Sequence, residues 1–173
     1  MIGPVLAIVA VIVIAPLVAY AVSYNRLVND RNEVSDAWAV IDAELQRRHH
    51  LIPPLVESVR STAAHERRLL VQLTEAQAAA AHADSPATRS ARETTVDQVI
   101  RAVVALREQY PSLNSQANFL ALQHELTLTE DRVAAARRFY NTRVANFNRR
   151  IDAFPSNIVA RRHGFTKADF YDS

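Results

Sequence analysis

Few residues in this sequence could do chemistry, and their spacing works against most reactions. His65-Glu66 and His124-Glu125 each begin the His-Glu-x-x-His pattern that sets two imidazoles on one helical face around zinc. Leu69 and Leu128 stand where the second ligand must be. The Glu-x-x-His pair with which helical bundles hold two irons does not occur. His49-His50 has no carboxylate close by in sequence, so solvated or locally bonded imidazoles are expected there. Cysteine is absent, which removes thiolate ligands and thiol nucleophiles. The only glycines are Gly3 and Gly164, so no glycine-rich loop can cradle a phosphate. Ser58 and Ser61 read as polar residues within a helix rather than nucleophiles on a sharp turn. The expectation is a protein that is not an enzyme, with no metal and no cofactor.

Charge is the remaining chemistry. Net charge is only +2, but from Arg132 onward nine Lys/Arg stand against three Asp. Arg137-Arg138, Arg149-Arg150 and Arg161-Arg162 form pairs, yet no motif that reads bases accompanies them, and nucleic acid is not an expected partner. Arg143, Arg149, Arg150, Arg161 and Arg162 are candidate contacts for anionic lipid headgroups. A plain solvated helix face accounts for the same residues.

The elements that position these side chains start with residues 2–23, which carry no charge. At 1.5 Å per residue they extend roughly 33 Å, the thickness of a bilayer's hydrocarbon core. Tyr20 and Tyr24 end the run where aromatic rings favour headgroups, and Pro16 is a tolerated kink point in lipid. Ala19-Tyr20-Ala21 would fit a signal-peptide cleavage site. However, the start lacks the basic residues of a signal peptide and the apolar run is too long for one, so an anchor is expected. Arg26 and Arg31 follow the span and no Lys or Arg precedes it. This predicts a short N-terminus outside and the remaining domain in the cytoplasm, at the inner or plasma membrane.

Beyond the anchor the chain reads as helix. From Asn118 to Phe154, apolar residues alternate at spacings of three and four: Phe119, Leu122, Leu126, Val133, Ala136, Tyr140, Val144, Phe147, Ile151 and Phe154, with Thr129 in one slot. Such a seam on one long helix requires partner helices to cover it. Leu27, Val34, Trp38, Ile41 and Leu45 continue the anchor into a first bundle helix at about 24–50, and Leu51-Ile52-Pro53-Pro54 predicts a turn. A second helix is expected at about 54–82 and a third at about 87–109, with Ser85 capping it ahead of Pro86. Tyr110-Pro111 breaks the third, Pro155 ends the fourth, and Gly164 turns the tail. The fourth helix is longer than its neighbours. Its last turns should therefore reach the headgroups, or its first turns should project past the distal end.

Several of these stretches carry a resemblance. Tyr24-Asn25-x-Leu27-Val28, Arg48-x-x-Leu51-Ile52-Pro53-x-Leu55-Val56 and Tyr110-Pro111-x-Leu113 occur in order. Ala136-Arg137-x-x-Tyr140-Asn141-x-x-Val144-x-x-x-Asn148, Phe154-Pro155 and Gly164-Phe165 follow. Together they make the chain resemble the LemA family of bacterial membrane-anchored proteins. It departs at Pro54, where the family usually has Asn, and at His50, where it usually has Asp. The resemblance implies one N-terminal span, a short outer N-terminus and a helical cytoplasmic domain, and supplies no activity. Tyr-Asn-x-x-Val-x-x-x-Asn occurs at 24–32 and again at 140–148. A distal turn at 51–54 would place Tyr24 and Asn25 beside Tyr140 and Asn141 as a polar layer fixing helix register.

The reading is an all-α protein. An N-terminal transmembrane helix (1–23) is continuous with an antiparallel up-down-up-down four-helix bundle (24–154), and a tail follows (155–173). Its expected partners are the lipid bilayer and other proteins, a second copy of itself among them. A docking or scaffold role is the first reading, and an anionic-lipid-binding, membrane-organising role through the basic C-terminal end is the second.

Overall fold

The structure is a computed structural model. It describes residues 2–83 and 85–171, with side chains described from Val11 onward. The described residues form helices and turns without strands: α1 (Ile2–Arg60), α2 (Arg67–Ala81), α3 (Pro86–Ala105), α4 (Ala117–Asp152) and the short α5 (Ser156–Arg162). The uncharged N-terminal run and the first bundle helix are one uninterrupted helix, as the heptad positions predict. Two compact units result. One comprises Met1–Ala37 and Asn141–Ala168; the other comprises Trp38–Tyr140 and Asp169–Ser173.

The second unit is the four-helix bundle. α1 from Trp38, α2, α3 and α4 as far as Tyr140 alternate in direction. Gln77 of α2 meets His49 of α1, Arg92 of α3 meets the Ala79 carbonyl of α2, and Arg101 of α3 meets Glu130 of α4. Its core is Leu45, Ile52, Leu55, Val59, Leu70, Leu73, Val96, Val103, Leu113 and Phe119, each buried. Burying side chains of this size is worth about 1.5–3 kcal/mol apiece, which holds the bundle against the entropy of ordering it. Ser85 caps α3 as expected, accepting a bond from the Thr88 N–H at 3.1 Å, with Pro86 at the first helical position.

One expected break is misplaced. α1 runs straight through Pro53-Pro54 and stops only at Arg60, with a 3-10 turn at Ala64–Glu66 leading into α2. A proline inside a helix removes one N–H from the ladder and strands the carbonyl four residues earlier. For Pro53 that carbonyl belongs to His49, and the Gln77 side-chain amide donates to it at 3.2 Å. Ile52 and Leu55, meanwhile, are buried on the core face, so continuing the helix keeps both in the bundle. The turn therefore falls about ten residues later than the prolines suggest.

In the first unit the side chains of residues 11–22 are exposed, among them Val11, Ile12, Val13, Ile14, Leu17 and Val18. α1 is the one helix among the described residues that is long and apolar enough to cross a membrane. Below it, Leu27 and Val34 of α1 and Val144 and Phe147 of α4 are buried. The seam of α4 holds at nearly every expected position. Phe154 departs from it: α4 ends at Asp152, and Phe154 is 80% exposed in the turn beyond. The tail folds back through Gly164, whose φ of 67° is the left-handed conformation that glycine adopts without penalty.

Candidate interaction surfaces and a buried ionic cluster

The charged side chains that the bundle encloses come from α1 and α3. Arg48 is 3% exposed. It donates to Glu93 and to Asp97 through its two terminal nitrogens. Arg89, one turn before Glu93 on α3, donates from Nε to Glu93 Oε1 at 3.0 Å and lies 3.6 Å from Asp42. His49 Nε2 lies 3.0 Å from Glu93 Oε1. Burial pushes the Glu93 carboxyl up, but the His49 hydrogen bond and charge and the Arg48 guanidinium outweigh it, leaving Glu93 below its ordinary value. Asp97 goes the other way: its burial, only partly offset by Arg48, raises it. Tyr171, buried near Glu93, is pushed up to about 12 by burial first and the Glu93 charge second. It packs 6.0 Å from Trp38, which also meets Tyr140 edge-on at 5.6 Å.

Glu93 is thus held ionised with its acceptor oxygens engaged by two guanidiniums and an imidazole. An acceptor so occupied has little capacity left to take a proton from a substrate. The cluster sets helix register, since shifting α3 by one turn would leave buried charges unpaired. The sequence pairing of His49 with no neighbouring carboxylate did not anticipate it, because Glu93 is 44 positions away. A signal was present: Arg48 and His49 occupy the core face between Leu45 and Ile52, and Glu93 precedes Val96 and Ile100 on theirs. Charges at core positions demand partners. His50, by contrast, is exposed, as are His65, His124 and Glu125. Among the described residues no group of three or more His, Cys, Asp or Glu is arranged to hold a metal ion.

At the end of the bundle where α1 stops and α4 starts lies an open groove of about 880 Å³. Pro54, Ser58, Ala117, Ala121 and Leu122 are among the residues that line it, together with the exposed Glu57 and Glu125. Ser58 Oγ donates to Gln116 Oε1 at 3.2 Å across it.

The candidate headgroup arginines belong to the first unit and divide into two sets. Arg143 pairs with Glu33 at 2.8 Å, and Arg150 pairs with Asp30. Arg149 and Arg161 are exposed; Arg149 donates to Asn146 Oδ1 at 2.9 Å, and Arg161 Nε donates to the Asn157 carbonyl at 3.3 Å. Arg162 is exposed at the end of α5. The last turns of α4 lie beside the end of the apolar run. Arg149, Arg150 and Phe154 share a cavity with Ala19, Val22 and Arg26.

The same pairs revise the expected register. With Asp30 on Arg150 and Glu33 on Arg143, Tyr24 lies beside the chain beyond Arg150 instead of beside Asn141. Tyr24 packs against His163 at 4.7 Å and Phe165 at 6.1 Å, and Asn25 is exposed. Tyr140 donates from its hydroxyl to the Asp169 carbonyl at 2.9 Å, and Asn141 is half-buried on α4. Asn148 is the residue of that motif that ties the tail down. Its amide donates to the Ala168 carbonyl and its oxygen accepts from the Ala168 N–H, both at 2.9 Å.

These features define an all-α helical-bundle protein with buried ion pairs and one helix long and apolar enough to cross a membrane. The chain belongs to the LemA family, whose model matches residues 37–173. It is similar to the protein LemA of Metamycoplasma hominis, 27% identical over 139 residues, which are 80% of this chain and 64% of that relative. The chain thus spans less than two thirds of that relative's length. Magnetosome proteins MamQ 1 and MamQ 2 of Paramagnetospirillum magneticum are each 32% identical over 69 residues, 40% of this chain and 25% of theirs.

Proposed function

We propose that this protein is a single-span membrane protein whose helical bundle is a non-enzymatic docking module, its short N-terminus outside and its bundle in the cytoplasm. The observation that carries the docking reading is the groove between α1 and α4. Ala117, Ala121 and Leu122 give its lining an apolar stretch, and the exposed Glu57 and Glu125 line it as well. That chemistry fits an amphipathic partner helix with small apolar side chains inward and basic residues at its flanks. The orientation rests on Arg26 and Arg31 following the span.

The test places a photo-crosslinking residue at Ala121 of the full-length chain in its native membrane. A discrete adduct that disappears in a Glu57→Lys/Glu125→Lys variant, while a crosslinker at exposed Val71 gives none, supports the reading. No adduct at Ala121, or one indifferent to charge reversal, counts against it.

A second reading is favoured by Arg149, Arg161 and Arg162, which are exposed close to the end of the apolar run. On this reading the protein engages anionic lipid and organises the bilayer.

A further inference from the structure

We propose that the Phe154-Pro155 turn and α5 form a second membrane contact, an interfacial foot in which Phe154 and Ile158 enter the headgroup–acyl boundary and Arg149, Arg161 and Arg162 bind anionic headgroups. The proposal rests on reading residues 11–22 as membrane-embedded, and it names the lipid chemistry that the second reading leaves open.

Three observations carry it. The first is depth. Phe154 lines one cavity with Ala19 and Val22, the last apolar residues of the span, so a bilayer that covers the span ends at the level of Phe154. The second is direction. α5 turns Ser156, Val159 and Ala160 inward, where they are buried. Its outward face therefore presents Ile158, 53% exposed, with Arg161 and Arg162. Large apolar side chains interleaved with arginine are the composition of segments that lie in an interface rather than span it. The third is charge. The residues of this unit include eight Lys/Arg against four Asp/Glu. Asp30, Glu33 and Asp152 are already paired with Arg150, Arg143 and Lys167. The balance is positive, and the exposed Arg149, Arg161 and Arg162, close in sequence to Phe154 and Ile158, carry part of it. The exposed stems of Arg161 and Arg162 also suit the interface, since arginine can lay its methylenes along apolar surface while its head stays among phosphates.

The absence of cysteine makes the test direct, because a single introduced thiol can be labelled without background. The full-length chain is reconstituted in phosphatidylcholine vesicles, with or without phosphatidylglycerol, that contain lipids brominated near the top of the acyl chain. A small fluorophore is attached in turn at Phe154→Cys, Val18→Cys and Leu120→Cys, all exposed positions. The expected result is quenching at positions 154 and 18 and none at 120. Phosphatidylglycerol should raise the quenched population at 154, by about fivefold per engaged arginine. Replacing Arg149, Arg161 and Arg162 with Gln should remove that increment. A label at 154 that behaves like the one at 120, while the label at 18 is quenched, overturns the foot and leaves the span intact. Quenching at 154 that ignores lipid charge overturns the headgroup assignment. An unquenched label at 18 overturns the span and the foot together.

Discussion

Gln77 donates its side-chain amide to the backbone carbonyl of His49, 28 positions earlier, at 3.2 Å. That carbonyl is the one Pro53 cannot serve, so a residue on α2 fills a gap in the hydrogen-bond ladder of α1. Because His49 is itself buried, water is a poor substitute.

Removing the repair should be costly only while the proline is there. Gln77→Ala should destabilise the bundle by about 1–3 kcal/mol, the penalty of a buried acceptor left without a donor. In a Pro53→Ala background the helix supplies its own N–H, and the same change should cost much less. A double-mutant cycle on the detergent-solubilised chain, followed by helical circular dichroism, measures the coupling. Additive effects would show that Gln77 does not support α1.

Glu93 is the counter-charge for Arg48 and Arg89 and is as enclosed as Arg48. Glu93→Gln should destabilise the fold by about 3–5 kcal/mol, because two guanidiniums would remain buried with too little negative charge. Converting Arg48, Arg89 and Glu93 together to apolar residues of similar volume should cost less than the single change. Equilibrium urea unfolding of the three proteins ranks them. A single variant as stable as the parent would refute the counter-charge role.

The same residue sets a pH dependence. Glu93 lies below its ordinary 4.5 in the fold, so its contribution is complete above 4.5 and is lost as pH falls through its folded value. Asp97 lies above its ordinary 3.8, so its ionised form costs stability, and acidification through its folded value relieves that cost. The two act in opposite directions: below 4.5 the Glu93 contribution should be lost, while protonation of Asp97 gives some stability back. Melting temperature measured across this range should show the decline in the parent and a flatter acid limb in Glu93→Gln.

Gly164 has open space where a Cβ would go, with nothing within 4 Å, but its φ of 67° is unfavourable for other residues. Gly164→Ala should cost about 1–2 kcal/mol through the backbone alone. Gly164→Asn should cost less, since asparagine visits this region more readily. Thermal melts of the two variants separate this backbone effect from a steric one, which would make the larger Asn the worse of the two.

Much of the helical framework was legible in the residues. The apolar spacing of α4 from Phe119 to Phe147, the Ser85-Pro86 start of α3, the break at Tyr110-Pro111 and the turn at Gly164 are local. They depend on helical periodicity and on the dihedral preferences of proline and glycine, which act within a few residues. The exposed run at 11–22 was equally plain, because absence of charge over that length has few physical meanings.

Other features were decided at long range. The donor that meets the carbonyl stranded by Pro53 comes from Gln77 on α2, and the burial of Ile52 and Leu55 that favours a continuous α1 is likewise tertiary. The distal turn falls at 61–66, and in the other unit Asp30 meets Arg150 while Tyr24 meets His163. The buried ion cluster was hidden for the same reason, since Arg48 and Glu93 meet only once α1 and α3 are packed in register. Periodicity fixes which face of a helix is apolar, but it does not fix how far one helix slides along another. That offset is set by the few polar contacts that only one alignment satisfies.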